Sequence, residues 1–300
     1  MFCDLCPRFC HAERPLSGRA PGFCRSPLTA VVARAGLHFW EEPVLSGTRG
    51  SGAVFFSGCN LRCVYCQNFA VSRGETGTEV SVERLREIYA ELAAQGAHNL
   101  DLVTPTHFTE AVLASLDPAP ALPVVYNTNG YDLPETLRRY RGKVAVYLPD
   151  FKYFDNALGR KYSGVSDYRE RAQAAIAEMF DQTGDYELDD DGLMRRGVIV
   201  RHLMLPGQLE NTLQVIDWMA RTFRPGQVMF SLMRQYLPCG MVSDTRFPEL
   251  NRRVSEEEYA AAEAALLDSG IEDGFVQEAD SADSGFIPDF DGTGVQSPKR

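Results

Sequence analysis

The chain has 300 residues, enough for one large core or one core with a small appendix, and its 44% hydrophobic and 24% charged residues are ordinary for a globular protein. A net charge of −11, from 30 basic against 41 acidic residues, comes without a lysine–arginine cluster, which argues against a nucleic-acid partner. No apolar run is long enough to span a membrane and no basic-then-apolar leader opens the chain, so the expectation is a cytoplasmic protein with no membrane partner.

Residues 1–48 show no sustained period of 3.6 or 2. They hold Cys3, Cys6, Cys10 and Cys24 with Pro7, Pro15, Pro21 and Pro27 between, a stretch that buries little apolar surface and needs a staple to be ordered. It is read as a small Cys-rich, metal-binding N-terminal segment. From Gly52 strands and helices alternate. Ala53–Phe56 is a strand; Val82–Gln95 is an amphipathic helix capped by Ser81 and followed by Gly96. Strand Leu100–Val103, helix Thr109–Leu116, strand Pro123–Tyr126, a short helix near Pro134 and strand Val144–Leu148 follow. Helix Tyr168–Gln182, strand Val198–Leu205, helix Asn211–Phe223, strand Gln227–Leu232 and helix Glu256–Leu267, capped by Ser255, complete the series.

Six strand–helix units predict an α/β fold with a parallel sheet. They are too few for an eight-fold barrel, so the architecture expected is an incomplete (β/α)6 parallel barrel over residues 49–275, with sites at the C-terminal ends of its strands. Residues 276–300 read as a tail packed on, or trailing from, that core.

Seven of the eight cysteines fall within the first 66 residues, and tight clusters without a secretory leader point to metal rather than disulfides. Cys59, Cys63 and Cys66 directly follow the first strand in a C-x3-C-x2-C loop. Three thiolates can each take one iron of a cubane cluster, and the missing fourth leaves one iron open for chemistry. A zinc knuckle or a plain electron-transfer cluster is the bland alternative, although zinc usually takes four ligands.

The loop from Ser57 to Asn68, with Tyr65 just before the last cysteine, resembles that of the radical S-adenosylmethionine (SAM) superfamily. The stretches Gly50–Phe56, Val103–His107, Tyr126–Gly130 and Leu148–Lys152 look like pyruvate formate-lyase activating enzymes, and more closely their PflX-type branch, from about Cys3 to Gln277. That resemblance implies a [4Fe–4S] cluster on Cys59, Cys63 and Cys66, reductive cleavage of SAM to a 5′-deoxyadenosyl radical, and hydrogen abstraction. It also implies a reducing partner such as flavodoxin or ferredoxin. Tyr65, Asn68, Asn127, Asn129, Asp150, Lys152, Arg201 and Gln235 match its cofactor-binding positions, with Lys152 facing the SAM carboxylate. Asp150–Lys152 as a loop ion pair and Arg201 as a strand-edge charge are the structural alternatives. The usual Gly-Gly-Glu of the second strand is absent; Thr104-Pro105-Thr106 stands there, and Thr104 and Thr106 are candidates to accept from the SAM ammonium.

His107 reads as a helix-start residue satisfied by backbone, with a proton shuttle or SAM contact as the alternative, and His202 alternates with Arg201 so that both cannot face the site. Four thiolates at Cys3, Cys6, Cys10 and Cys24 suit zinc or a second iron–sulfur cluster equally. Cys239 reads as a small buried residue, with a hydrogen-donating thiol as the sharper reading. Glycyl-radical-enzyme activation, radical modification of another peptide or small molecule, and a non-catalytic iron–sulfur role are the functions to separate.

Overall fold

The computed structural model describes residues 2–278, Gly285 and residues 287–297, so part of the stretch expected as a tail lies outside the described residues. β1 (Ala30–His38), α1 (Pro43–Ser46) and β2 (Ser51–Phe56) come first, then α2 (Phe69–Ser72), β3 (Thr78–Val80), α3 (Val82–Ala94) and β4 (Leu100–Val103). α4 (Thr109–Ser115), β5 (Val124–Thr128), α5 (Pro134–Arg138), β6 (Val146–Pro149), α6 (Asn156–Ser163) and α7 (Tyr168–Thr183) follow. β7 (Glu187–Leu188), β8 (Met194–Leu203), α8 (Leu209–Thr222), β9 (Met229–Met233), α9 (Glu256–Asp268) and β10 (Gly274–Val276) close the order.

All strands join one open sheet in the order β10-β9-β8-β6-β5-β4-β2-β1-β3, with β7 on the side of β8. From β2 to β10 the neighbours run parallel, and each step crosses over through a helix, the topology of a partial (β/α) barrel. The two capped helices form as their sequences require: the Ser81 hydroxyl accepts from the Arg84 amide at 3.1 Å, and Ser255 and Glu258 close a reciprocal capping box.

Besides the short α1, α2, β3 and β7, which were unread, and β8, which starts four residues before the expected Val198, three elements depart from the sequence reading. β1 is a nine-residue strand inside the stretch that showed no period; it pairs antiparallel with β2 and β3 and so carries the N-terminal segment into the sheet. β10 adds a seventh parallel strand beside β9. α6 was unread although Asp155 caps it and Gly164 ends it in the left-handed conformation.

Strand alternation sorts the side chains into two layers. One set faces the helices and builds the main core, with Tyr126, Tyr147, Val198, Val200 and Phe230 among its buried members. The opposite set turns to the concave inner face. There Val125, Val146, Leu148, Ile199 and Met229 pack with Leu45 of α1. One or two steps further along the same faces stand Asn127, Asp150, Arg201 and Ser231, which line a cleft. The period that fills the inner core thus delivers polar groups to the C-terminal ends of the strands.

Candidate active site

The cleft has a volume of about 420 Å³, and Cys59, Cys63 and Cys66 all line it. Their loop leaves the C-terminal end of β2 through Gly58, whose φ is +90° and where a Cβ would lie 2.5 Å from the Ser26 hydroxyl. Donors already converge on the sulfurs. Cys59 Sγ accepts from the Leu61 and Arg62 amides at 3.3 and 3.5 Å and from Asn129 Nδ2 at 3.3 Å. Cys63 Sγ accepts from the Ser163 hydroxyl at 3.0 Å. Burial pushes the Cys66 thiol up to about 12, with Cys63 and Cys59 adding to the shift, and burial raises Cys59 as well. Three thiols on one loop with N–H and O–H groups aimed at two of them fit an iron–sulfur cluster, whose potential such hydrogen bonds tune. Among the described residues no three His, Cys, Asp or Glu side chains are already closed to metal-ligand geometry, although the three sulfurs share one electrostatic neighbourhood.

Across the cleft lies a charge network. Lys152 Nζ is 2.6 Å from Asp150 Oδ2, and Arg201 Nε is 3.0 Å from Asp150 Oδ1. Burial raises the Asp150 carboxyl, but Lys152 and Arg201 overcome it and hold the group below the usual carboxylate range. Arg201 also donates from Nη1 to Glu41 at 2.9 Å and from Nη2 to Asn127 Oδ1 at 2.8 Å. Asn127 Nδ2 reaches Asp101 at 3.2 Å and Glu41 at 3.3 Å.

Other expected residues sort into those that reach the cleft and those that do not. Thr104, Asn68, Asn129 and Gln235 line it. Thr104 sits at φ +58°, a sparsely populated conformation for a β-branched residue, where the chain leaves β4. The buried Asn68 Oδ1 has no hydrogen-bond partner, an acceptor that suits an ammonium or hydroxyl in the cleft. Gln235 Oε1 accepts from Gln277 Nε2 at 3.4 Å. Tyr65 borders the cleft, but its hydroxyl meets that of Tyr153 at 2.6 Å and its ring packs against Tyr153, Tyr162 and Tyr236. Thr106 is fully buried, and its hydroxyl donates to Asp132 at 2.6 Å, outside the cleft lining. His107 and His202 are buried and donate to the Ser57 and Phe151 carbonyls, while His107 Nδ1 has no hydrogen-bond partner. Cys239 lines the cleft, its thiol 3.1 Å from the Tyr65 carbonyl oxygen.

Glu41, Glu42, Asp101 and Ser231 are the site groups that sequence reasoning missed. Asp101 carried a visible signal: a carboxylate inside Leu100–Val103, a strand buried between neighbours on both sides, requires a partner. Glu41 and Glu42 had none, because their position follows from β1.

The N-terminal cysteines are free thiols. Burial pushes Cys6 up to about 12, and Cys24, Cys3 and Cys10 each add to the shift, so the four sulfurs lie within electrostatic reach of one another. No helix among the described residues is long and apolar enough to cross a membrane.

An uncharacterized protein of Methanocaldococcus jannaschii, MJ0674, is 28% identical over 275 residues, covering 87% of this chain and 72% of that protein. The structure of HydG, a maturase of the [FeFe]-hydrogenase, superposes with a TM-score of 0.50 at 15% identity, covering 81% of this chain and 56% of that one. Streptococcus suis SuiB bound to S-adenosylmethionine gives 0.49 at 10% identity, covering 75% and 49%. The chain thus spans about half the length of these two solved structures, and the HydG likeness speaks to the fold alone. A model of the radical SAM superfamily matches residues 53–219, more than half of the chain, so the protein belongs to the radical SAM superfamily, whose chemistry rests on a [4Fe–4S] cluster and S-adenosylmethionine.

Proposed function

We propose that this protein reductively cleaves S-adenosylmethionine at a [4Fe–4S] cluster held by Cys59, Cys63 and Cys66 and directs the resulting radical to abstract hydrogen from a substrate in the same cleft. The observation that carries this reading is the convergence of three loop thiols and the Asp150–Lys152–Arg201 network on one cavity. When bound, the cluster supplies the electron and SAM supplies the 5′-deoxyadenosyl group.

The chain's own residues bind and orient. Lys152, held by Asp150, offers its ammonium to the SAM carboxylate. Asn68 Oδ1 and the Thr104 backbone and hydroxyl are acceptors for the SAM ammonium. Asn129, bonded to Asn60 Oδ1 at 2.8 Å, fixes the Cys59 sulfur. The Tyr65–Tyr153–Ser163 hydroxyl chain ends on Cys63.

Activation of a glycyl-radical enzyme, by abstraction from a partner's glycine, is the specific version we favour over modification of another peptide or small molecule; a flavodoxin or ferredoxin would deliver the electron. The Cys3–Cys24 segment is proposed to bind zinc or a second cluster, with residues 49–275 as the radical SAM core. Eight thiols free of disulfides fit a reducing compartment such as the cytoplasm.

The test is chemical. Anaerobically reconstituted protein given dithionite and SAM is expected to release methionine and 5′-deoxyadenosine, and protein with Cys59, Cys63 and Cys66 all changed to Ala is expected to release neither. Product from the triple variant removes these cysteines from the reaction; no product from the wild type leaves the electron-carrier reading.

A further inference from the structure

The floor of the cleft holds more acids than its cations balance. β1 runs antiparallel to β2, so its last residue, His38, pairs with Ser51 at the start of β2. The chain beyond it therefore crosses the N-terminal ends of the parallel strands and brings Glu41 and Glu42 into the cleft lining from below, opposite the cysteine loop. Four carboxylates meet there, those of Glu41, Glu42, Asp101 and Asp150, against two cations, Arg201 and Lys152. His38 also lines this end and is held neutral, because burial lowers its pKa.

Pairing takes up most of these groups, although the buried Asp101 Oδ1, like Glu42 Oε2, has no hydrogen-bond partner. Arg201 spends its three nitrogens on Glu41, Asp150 and Asn127, and Lys152 is taken by Asp150. Asp101 is fully buried and outside the cleft lining, and burial first and then Glu41 push its carboxyl well up. Glu42 remains. It is 7% exposed, and its Oε2 has no hydrogen-bond partner. The Arg201 Nη1 atom stands 4.0 Å away and already donates to Glu41 at 2.9 Å. Glu42 precedes α1, yet its side chain makes no cap hydrogen bond there. Burial pushes the acid up to about 7, the mark of an unbalanced buried carboxylate.

A buried carboxylate that the fold supports only through Ser231 and an Arg201 nitrogen 4.0 Å away, in the lining of a cavity, is an acceptor for something in that cavity. We propose that Glu42 anchors an alkylammonium group of the substrate at the floor of the cleft. Only one oxygen is free and Arg201 occupies the middle of the other acids, which suits a single ammonium and not a divalent ion that needs six or more oxygen ligands. Trp40, Phe55 and Phe275 line the same cavity, and aromatic faces favour a desolvated cation. Anchored there, an amine-bearing substrate extends its chain toward Cys59 and Cys66. The inference rests on this cleft being the site of the SAM-dependent reaction and adds a substrate class to it.

Full-length protein reconstituted with its cluster and SAM is titrated calorimetrically with butylammonium, with Nα-acetyl-lysine amide and with butanol. One or both cations are expected to bind where butanol does not, and the tighter of the two tells a free amine from a peptidyl lysine. Glu42→Gln is expected to weaken the cation about tenfold or more, the loss of one charge-assisted hydrogen bond, with Glu42→Asp between it and wild type. Thermal unfolding and circular dichroism establish that each variant is folded, and Glu42→Asp carries the comparison if Glu42→Gln is not. Cations that bind no better than butanol, or equally well to wild type and the variants, overturn the anchor. SAM cleavage by the wild type is scored separately, so a protein that cleaves SAM without binding amines sinks the anchor alone. One that binds amines through Glu42 without cleaving SAM retains it and sinks the radical reading.

Discussion

Arg201 donates to Glu41, Asp150 and Asn127 from a side chain only 12% exposed, and the Glu41 and Asp150 side chains are 9% and 19% exposed. Its bonds bridge the β1–α1 connection to the ends of β5 and β6. Removing it strands Glu41 and leaves Asp150 to Lys152 alone, with their hydration already lost, beside Glu42, which has no spare cation to share. Breaking a buried pair from one side costs about 3–5 kcal/mol, so Arg201→Met is expected to lose that much in urea unfolding. Arg201→Lys should fall between, since an ammonium keeps the charge but cannot fork to three acceptors. A loss for Arg201→Met below about 1 kcal/mol, the size of an exposed pair, would mean that the network is solvated. Asp150, Lys152 and Arg201 were legible in the sequence through the family resemblance, which matches them to an Asp-x-Lys and a basic residue at strand ends. Glu41 and Glu42, a pair of acids before Pro43, look like any solvated turn until β1 is known to deliver them.

Helices and strands with strong local signals were read to within two residues or so, whereas β1 was not read at all. Its sequence, Ala30-Val31-Val32-Ala33-Arg34-Ala35-Gly36-Leu37-His38, is rich in alanine and glycine, which have little intrinsic strand preference. What makes it a strand is tertiary: the ladders to β2 and β3, and the backbone of residues 292–293, where Ala35 N donates to Thr293 O at 2.9 Å and Gly292 N to Ala33 O at 3.2 Å. No local pattern encodes a partner some 250 residues away. The described part of the tail is therefore packed on the sheet edge, with Val295 buried and Arg84 Nε donating to its carbonyl at 3.0 Å. Gly294 makes the approach possible: its φ is +71°, and a Cβ there would sit 2.1 Å from the Ala35 carbonyl oxygen. Gly294→Ala is expected to undock this stretch, with destabilisation of more than about 1 kcal/mol, since the left-handed conformation alone is worth about 1–2 kcal/mol to an L-residue. Hydrogen exchange reports it at the Ala35 amide, which should exchange faster in the variant while amides of β5 keep their protection. Equal protection of Ala35 in both proteins would show that the tail does not hold β1.

Across the whole molecule, the Cys-rich segment lies against the Cys59–Cys66 loop. The Arg8 guanidinium donates to the Asn60 carbonyl at 2.7 Å and to the Ser163 and Gly164 carbonyls at the C-terminal end of α6, both at 2.7 Å. Arg62 Nη1 returns the contact by donating to Phe23 O at 3.0 Å, and Thr136 on α5 donates to Leu5 O at 2.9 Å. Asn60 in turn bonds Asn129, which bonds the Cys59 sulfur. Order in residues 2–28 therefore bears on the Cys59–Cys66 loop, yet the segment has little core of its own: Phe2, Phe9 and Leu16 are exposed. Four thiolates on a metal supply folding free energy on the order of 10 kcal/mol, far more than this stretch gains by burial. The expectation is a metal centre at Cys3, Cys6, Cys10 and Cys24 that is independent of the catalytic one. Protein purified without oxygen or chelator, with Cys59, Cys63 and Cys66 changed to Ala, should still carry one zinc or about four irons per chain, the loads of a tetrahedral site and a cubane. Zinc identifies a staple that holds Arg8 on the loop, and iron identifies a second cluster placed to pass electrons to the first. Changing Cys6 and Cys24 to Ser in the otherwise native chain should remove that metal and raise proteolytic cleavage in residues 2–28 before it affects the barrel. Metal analysis that finds neither element in the triple variant leaves four unligated thiols, and the order of the segment then rests on hydrogen bonds such as those of Arg8, Arg14, Arg62 and Thr136.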